Sequence, residues 1–431
     1  MILQLRGRRS WVWMNPGGSV PGVKLPYRNG ITEVETAGET CIAPEVLPPA
    51  ISDIAGTLLN SFEKPVSSHP LRDMIPTRGP VSILVPDITR GKEVKRVLPV
   101  LLKEISSCGV NDDRIGILIA NGAHRLESDR ELEVHLGGTI AGRYTVYQHR
   151  ADHSDSHVRV GSTPHDRDLC LDRRLVDSEL LIPVSGVSFH YFAGFGGGRK
   201  MIMPGMASID SIMRNHRLSL GSDPGSGMAE GCFAGNLQGN PVHREMVAAA
   251  GLLDTPVFMI NFIADPEGNI IFINSGDILH SHLKACEYLR QVYAVKLERQ
   301  FPSVLISCGG SPRDINLLQA HKALRYGSAA AERGGNIYCV AACSEGIGSS
   351  SYREAAGMRR FREEDYSLNM QTAVSTRELT TRYNIHLKSE LDDLEVERFG
   401  FIPWHERKIP EGDTPVLVIK NGSSFLPELA S

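Results

Sequence analysis

The sequence predicts an α/β protein of two α/β domains, each built on a mainly parallel sheet. Short, continuously apolar runs rich in β-branched residues recur along the chain, as in strands that are buried on both faces. Helical patterns lie between these runs, and such alternation indicates parallel strands joined by right-handed crossovers. A length of 431 residues also exceeds what one hydrophobic core usually holds.

Four apolar runs predict the strands of a first sheet. They are Val81 to Val85, Ile115 to Ala120, Leu180 to Val184 and Val257 to Ile263. Apolar residues at helical spacing from Val94 to Ser106 predict the helix between the first two strands, despite Pro99.

Later elements predict a second α/β domain. An amphipathic helix is expected over Ala285 to Arg299, and a charged helix over Arg359 to Tyr366. Further strands are expected at Ser303 to Ser307, Asn336 to Ala342 and Thr414 to Ile419. The predicted organisation is a tail at 1–20, an N-terminal domain at 21–290, a C-terminal domain at 291–412, and a segment at 413–431 that could return to the first domain.

Composition argues against several classes of protein. The net charge of −4 and the short basic runs do not indicate nucleic acid or an anionic membrane as a partner. No apolar run approaches the roughly 20 residues of a membrane helix, and the N-terminus lacks the apolar core of a secretion signal. Eight scattered cysteines without a C-x-x-C pair favour buried thiols in a reducing, cytoplasmic environment.

The segment from Ser188 to Arg217 concentrates reactive side chains. Lys200 directly follows the glycines at 196–198 and an arginine, and His190 and His216 flank it. Glycine allows a ligand to approach the backbone closely. Lysine and histidine are groups that attach ligands, bind metals and transfer protons. The segment therefore predicts a ligand site, with a simple tight turn as the alternative.

Two familiar phosphate-binding loops do not match this segment. The P-loop requires glycine before its lysine and a hydroxyl after it, whereas Lys200 lies between Arg199 and Met201. The dinucleotide pattern G-x-G-x-x-G fits Gly194 and Gly196 but fails at Arg199.

Polar residues directly follow three of the predicted strands. Asp87 and Arg90 follow the first, His124 follows the second, and His190 follows the third. Ligands of open α/β sheets bind beyond the carboxyl ends of the strands. The shared position predicts one cleft, although each residue alone could simply cap a loop.

Taken together, these pieces resemble the nickel-dependent lactate racemase family, the pincer-nucleotide racemases and epimerases of 2-hydroxyacids. The resemblance runs from about Leu25 to the C-terminus, with order and spacing preserved. The stretches that carry it are Asp87–Ile88–Thr89–Arg90, Asn121–Gly122–Ala123–His124–Arg125, the segment from His190 through Lys200, Pro204–Gly205, Asn215–His216, and Asp314 to Leu324.

The resemblance implies a function. A family member inverts a 2-hydroxyacid by reversible hydride transfer through a 2-keto acid, in a cleft between the two domains. The implied cofactor is the nickel-pincer nucleotide, a pyridinium mononucleotide with two sulfur-containing arms. The implied partners are a small 2-hydroxyacid and the enzymes that make the cofactor.

The resemblance also implies roles for individual residues. These are covalent attachment of the cofactor for Lys200 beside Gly196, Gly197 and Gly198, nickel ligation for His216, acid/base catalysis for His124 and His190, and substrate positioning for Asp87, Arg90, Gln319 and Lys322. Two histidines with pKa values near neutrality suit proton transfer on the two faces of the substrate, and a guanidinium suits its carboxylate.

One departure from the family concerns the substrate. Leu318 stands where lactate-specific members carry tyrosine, so lactate is not assured as the substrate. The alternatives are a sugar-acid 2-epimerase of the same family, a zinc metallohydrolase that uses His124, His190 and His216, and a non-catalytic nucleotide-binding protein. The sequence lacks the H-E-x-x-H pattern that would favour a zinc metallohydrolase.

Overall fold

The structure is a computed structural model that describes residues 12–14, 20–36, 38–44, 48–90, 93–222, 227–358 and 365–430. The predicted α/β class is confirmed, with several largely parallel sheets. The chain divides into two compact units. The six-stranded unit holds Pro48–Leu218 and Gly231–Leu289. The seven-stranded unit holds the described parts of Met1–Leu47, Ser219–Glu230 and Arg290–Ser431.

The strands in the described residues are, in chain order, β1 (Val12–Met14), β2 (Val20–Tyr27), β3 (Gly30–Thr36), β4 (Thr40–Ile42), β5 (Val81–Pro86), β6 (Ile115–Ala120), β7 (Thr145–Gln148), β8 (His157–Gly161), β9 (Leu169–Asp172), β10 (Leu180–Gly186), β11 (Phe189–His190), β12 (Gly194–Phe195), β13 (Met259–Ala264), β14 (Ile270–Gly276), β15 (Ala294–Leu297), β16 (Phe301–Ser307), β17 (Ala331–Val340), β18 (Asn384–Lys388), β19 (Ile402–Pro403), β20 (Lys408–Ile409), β21 (Val416–Ile419) and β22 (Leu426–Leu429).

The α-helices in the described residues are α1 (Ile54–Glu63), α2 (Leu71–Met74), α3 (Val94–Ser107), α4 (Asp129–Leu136), α5 (Gly138–Arg143), α6 (Arg173–Val176), α7 (Ile209–Arg217), α8 (Pro241–Ala250), α9 (His280–Tyr293), α10 (Leu317–Gly327), α11 (Ser350–Ala356), α12 (Met370–Arg382) and α13 (Asp393–Arg398). No helix among the described residues is long and apolar enough to cross a membrane.

The sheet of the six-stranded unit has the order β14-β13-β10-β5-β6-β7. Its pairs are parallel, except that β13 and β14 are antiparallel. Every residue of β5 is buried, which explains why its sequence is continuously apolar rather than alternating. Pro86 at the end of β5 pairs in register with Ala120 at the end of β6. The turns that follow these strands therefore leave the sheet side by side.

Helix α3 packs on this sheet much as its sequence predicts. The apolar residues Val97, Leu98, Leu101 and Ile105 recur at helical spacing and are fully buried in the same core as β5 and β6. Pro99 lies inside the helix, as expected.

The sheet of the seven-stranded unit has the order β1-β4-β21-β16-β17-β18-β19. It is parallel except for the β1–β4 pair. The sequence allowed a return of the segment 413–431 to the first domain, predicted at 21–290. Its strand β21 lies between β16 and β4 and is fully buried, because its four apolar residues suit a central strand. Residues 40–42 therefore share a sheet with the C-terminal half of the chain.

Two other expectations differ from the structure. The helix expected over Ala285 to Arg299 ends at Tyr293, and β15 follows it and pairs with β22. In β15 the buried Val295 and Leu297 alternate with the exposed Lys296, which is the periodicity of a strand. Most of the predicted tail at 1–20 and most of the helix expected over Arg359 to Tyr366 lie outside the described residues.

Candidate active site

The turn after β5 holds its own aspartate in place. The Asp87 Oδ1 accepts a hydrogen bond from the Thr89 N–H at 3.0 Å and another from the Thr89 hydroxyl. The Asp87 carbonyl accepts from the Arg90 N–H at 2.9 Å. An aspartate that bonds the backbone two residues on is a common way to build a tight turn. In this turn Asp87 is buried, with 5% of its surface exposed, whereas Arg90 lies at the surface.

The second carboxylate oxygen of Asp87 reaches the neighbouring turn. Asp87 Oδ2 lies 3.0 Å from Nδ1 of His124. Burial alone would raise the pKa of the Asp87 carboxyl. The hydrogen bond and charge of His124, the charge of Arg90 and the Thr89 hydroxyl outweigh burial and hold that pKa well below its usual range. An ionised Asp87 accepts a hydrogen bond from the Nδ1–H group, so Nε2 of His124 keeps its lone pair in the neutral ring.

His190 lies in a short hairpin formed by β11 and β12. Its side chain is buried, and its ring packs edge-on against Phe192 with centroids 4.5 Å apart. The His190 Nδ1 accepts from the Ala193 N–H at 3.3 Å. An accepting Nδ1 places the proton of the neutral ring on Nε2. His190 and His124 are therefore held in opposite tautomers.

A buried arginine fixes this hairpin, and the sequence did not single it out for that purpose. Arg199 is 1% exposed. Its guanidinium donates to the carbonyls of Phe195 at 2.9 Å and Ala193 at 2.8 Å. Burial lowers the pKa of Arg199 to about 10. Because Arg199 directly precedes Lys200, it anchors the hairpin of His190 and the chain that carries the lysine together.

The three glycines before Arg199 are packed against the protein itself. A Cβ on Gly197 would lie 2.7 Å from the Gly186 carbonyl oxygen, and one on Gly198 would lie 2.4 Å from the ring of His282. Both glycines have positive φ angles, +73° and +58°, which favour glycine. The fold therefore requires glycine at these positions whether or not a ligand lies near them.

Backbone hydrogen bonds join the lysine segment to the turn of His124. Gly205 donates its N–H to the Lys200 carbonyl at 3.0 Å, and its own carbonyl accepts from the Gly122 N–H at 2.9 Å. A Cβ on Gly205 would lie 2.5 Å from the Met201 carbonyl oxygen. Glycine at 205 thus lets the two segments meet without an intervening side chain.

His216 lies in the last turn of α7 with its ring oriented by its neighbour. Its Nδ1 lies 3.2 Å from Asn215 Oδ1, and donation to that oxygen leaves Nε2 with a lone pair. Burial, together with the charges of Lys200, Arg90 and His124, lowers the pKa of His216 to about 3. The imidazole is therefore neutral at physiological pH, the form that ligates a metal.

Phe192 lies at the centre of these groups. Its buried ring packs against the rings of His190 and His216, with centroids 4.5 and 5.1 Å away. The Lys200 ammonium lies 5.6 Å from the centroid of the same ring. An aromatic face attracts a cation at this distance. Lys200, His216 and His190, three of the predicted site residues, thus gather around one phenylalanine that sequence reasoning did not select.

The remaining predicted residues lie on α10 of the seven-stranded unit. Asn316 caps this helix by accepting from the Gln319 N–H at 3.0 Å. Lys322 Nζ donates to Gln319 Oε1 at 2.5 Å. Leu318 is half-buried and packs against the core of its own unit. The structure thus brings Gln319 and Lys322 together, and their place in the same site as His124 stays a prediction.

No group of three or more His, Cys, Asp or Glu side chains that could hold a metal ion occurs in the described part of the chain. The described residues therefore contain no cluster of the size that a structural or catalytic zinc ion usually requires. All eight cysteines are free thiols, and six of them are buried.

Comparisons with known proteins show which family this chain belongs to. The model of the lactate racemase N-terminal domain matches residues 30–228, and that of the C-terminal domain matches residues 298–383. The lactate racemase of Thermoanaerobacterium thermosaccharolyticum is 30% identical over 292 residues, or 68% of this chain and 66% of that protein. The lactate racemase of Lactiplantibacillus plantarum is 30% identical over 301 residues, or 69% of this chain and 68% of that protein.

Solved structures show the same fold. The lactate racemase apoprotein of Thermoanaerobacterium thermosaccharolyticum superimposes with a TM-score of 0.82 at 23% identity, covering 94% of this chain and 100% of that one. The crystal structure of a Thermotoga maritima protein superimposes with a TM-score of 0.67 at 17% identity, covering 89% and 100%. From the domain matches and the identity to both racemases, the chain belongs to the lactate racemase family, a family of isomerases.

Proposed function

We propose that this protein is a racemase or epimerase of a 2-hydroxyacid that works with a nickel-pincer nucleotide. One observation carries the proposal. His124 is held by the buried, ionised Asp87, and His190, Lys200 and His216 gather around Phe192 in the same unit. Membership in the lactate racemase family supports a substrate of this class.

The donor set fits the cofactor. His216 offers one neutral imidazole whose Nδ1 is oriented by Asn215, and imidazole suits nickel. Since no larger cluster of ligating side chains occurs in the described residues, a metal held here needs a group that brings its own donors, as a pincer does. Lys200 Nζ lies over the ring of Phe192, against which the His216 ring also packs, and an amine there could hold such a group covalently.

A nickel-pincer nucleotide held by Lys200 and His216 would supply the hydride chemistry at C2 of the substrate. The protein then has to bind the substrate, hold it still and move one proton. Loss of the hydroxyl proton and of hydride gives a planar 2-keto acid. Return of hydride to the other face of C2, and of a proton to the oxygen, completes inversion.

His124 and His190 are proposed to handle the hydroxyl proton. Nε2 of neutral His124 has a lone pair that can take the proton, and the Asp87 carboxylate stabilises the imidazolium that forms. Nε2 of neutral His190 carries a proton and can donate it. For the mirror-image substrate the two histidines exchange these roles. In these opposite tautomers His124 can accept a proton and His190 can donate one, as one direction of the reaction requires.

Charged groups are proposed to position the substrate. Arg90 is exposed on the same turn as Asp87, and its planar guanidinium can hold a carboxylate through two parallel hydrogen bonds. Gln319 and Lys322, which bond each other on α10, are proposed to complete the substrate site.

The setting proposed for the protein is the cytoplasm. Eight free thiols suit a reducing compartment, and the enzymes that make the cofactor are the expected protein partners.

A panel of enantiopure 2-hydroxyacids and sugar acids, incubated with cofactor-loaded protein, tests the proposal. Chiral chromatography should detect racemisation or 2-epimerisation of at least one compound. His124→Ala and His190→Ala should each lower the rate about 10²- to 10⁴-fold in both directions. His165→Ala, which changes an exposed histidine, is the matched control.

Two results would overturn the proposal. One is the absence of turnover across the panel by protein that carries nickel. The other is full activity of either active-site variant, which would make that histidine structural. Zinc without an organic adduct, accompanied by hydrolysis, would favour the metallohydrolase instead.

A further inference from the structure

We infer that Glu127 is a positioning residue that holds the Asp87–His124 pair together. The inference rests on the proposed function for its chemistry, but its geometry stands independently. Glu127 is 6% exposed and lies three residues beyond His124, in the segment that leads into α4.

The first contact is with the turn that carries Asp87. Within that turn, the N–H groups of Thr89 and Arg90 bond Asp87 itself. The N–H of Ile88 instead donates to Glu127 Oε1 at 2.8 Å. A charged acceptor makes this a stronger bond than one between neutral groups. The turn that carries Asp87 is thus linked to the segment after His124 by this bond, as well as by the contact between the Asp87 and His124 side chains.

The second contact fixes the carboxylate from behind. Glu127 Oε2 lies 3.1 Å from Nδ1 of His135 on α4, and the two side chains are 2% and 0% exposed. A carboxylate buried to this extent has lost its water and depends on such partners. His135 therefore holds the glutamate in the orientation that meets Ile88.

The third contact fixes the backbone of the glutamate. Gln148, at the end of β7, accepts from the Glu127 N–H at 2.7 Å and donates to the Glu127 carbonyl at 2.8 Å. This two-point contact anchors the segment to the sheet. Glu127 is consequently fixed at its backbone and at Oε2, while its Oε1 accepts from Ile88 in the turn that carries Asp87.

The expected consequence concerns the proton on His124. Asp87 selects the Nδ1–H tautomer only while the two turns stay in register at hydrogen-bond distance. Without an acceptor for the Ile88 N–H, the turn that carries Asp87 loses one of the hydrogen bonds that fix its position. His124 should then populate both tautomers, and Nε2 should no longer be reliably available as a base.

Histidine side-chain ¹⁵N NMR tests this on protein without cofactor or substrate, with His124→Gln used to assign the signal. The wild type should show His124 as the Nδ1–H tautomer at pH 8. Glu127→Ala should show a mixture, and so should Glu127→Asp, whose carboxylate is one methylene too short to reach Ile88. Glu127→Gln should stay close to the wild type, because its amide oxygen can still accept from the Ile88 N–H.

Glu131→Ala is the matched control. It removes a half-buried carboxylate of the same segment, whose partners are Arg125 and Ser128 rather than the Asp87 turn. Should Glu127→Ala fail to fold, Glu127→Asp carries the test. In loaded enzyme, the variants with mixed tautomers should lose about 10- to 100-fold in kcat, a loss typical of a misplaced catalytic group.

A His124 that remains entirely Nδ1–H in both Glu127→Ala and Glu127→Asp would overturn the inference. If the wild type turns over no 2-hydroxyacid, the proposed function fails, but the tautomer measurement still decides the role of Glu127.

Discussion

Nδ1 of His124 lies 3.0 Å from Oδ2 of Asp87, and this contact joins the turns that follow two neighbouring parallel strands. Because β5 and β6 end in register, each residue needs only a short turn to reach the other. The other oxygen of the same carboxylate is occupied by Thr89. Each oxygen of the Asp87 carboxylate therefore has its own partner, Thr89 for Oδ1 and His124 for Oδ2.

Asp87→Asn should abolish the base rather than merely weaken it. Thr89 donates to Oδ1 through both its N–H and its hydroxyl, so the amide oxygen of asparagine should remain there. The amide NH₂ would then face His124 and donate to Nδ1, which moves the ring proton to Nε2. We expect kcat to fall by about 10²- to 10⁴-fold in both directions, with the tautomer change visible by ¹⁵N NMR. Asp112→Asn, at an exposed pair with Arg143, is the control and should retain activity.

The lowered pKa of Asp87 predicts how stability depends on pH. The folded protein binds fewer protons at this site than the unfolded chain, whose aspartates titrate near pH 3.9. The stabilisation is therefore complete above that pH and is lost as the pH falls towards the folded-state pKa. Urea unfolding should show a difference in free energy between wild type and Asp87→Asn that is constant from pH 7 to 5 and shrinks below about pH 4. A difference that stays constant down to pH 3 would contradict the pKa direction.

The sequence was informative wherever one local pattern decides the structure. The buried strands β5, β6 and β10 each predict a carboxyl end, and parallel strands share that edge, so polar residues just after neighbouring strands can meet there. The contact between Asp87 and His124 follows from this rule. The Asp-x-Thr turn could also have been predicted, since aspartate commonly bonds the backbone two residues on.

The supporting contacts have no comparable sequence pattern. Glu127 and His135 resemble ordinary members of a charged, helix-forming stretch. Only the folded chain brings Glu127 to the Asp87 turn and His135 to Glu127. Arg199 resembles a loop cation in sequence, whereas it is buried and bonds backbone carbonyls. The glycines at 197 and 198 were explained by ligand approach, but their missing side chains accommodate Gly186 and His282. These features depend on tertiary packing, which no local pattern encodes.

Attachment and ligation of the cofactor should separate in variants. Lys200→Ala should lose the covalent adduct, seen as an intact mass equal to that of the apoprotein after expression with the cofactor-making enzymes. His216→Ala should keep much of the adduct but lose nickel, measured by elemental analysis, since the amine bond and the metal bond are distinct. Lys103→Ala, at an exposed lysine on α3, is the control. An adduct that persists without Lys200 would exclude this residue as the attachment point.

Arg90→Lys should not preserve activity although it preserves charge. Lysine offers a single ammonium instead of a planar pair of donors, so the two-point grip on the carboxylate is lost. We expect kcat/KM to fall about 10- to 100-fold, measured as the initial rate of racemisation. Arg96→Lys on α3, which changes a guanidinium bonded to the Gly268 carbonyl, should have little effect. Near-normal turnover of Arg90→Lys would show that Arg90 supplies charge only.

Leu318 should favour substrates with a side chain larger than methyl. It is half-buried at the start of α10, beside Gln319, and its apolar side chain packs against the core of its own unit. A leucine here removes a polar aromatic group, and each additional CH₂ buried by the substrate contributes about 0.8 kcal/mol. We therefore expect a several-fold higher kcat/KM for 2-hydroxybutyrate than for lactate, and Leu318→Tyr should narrow or reverse that ratio. Leu394→Tyr, at an exposed leucine of the same unit, should leave the ratio unchanged. A preference for lactate that is unaffected by Leu318→Tyr would show that specificity is determined by other residues.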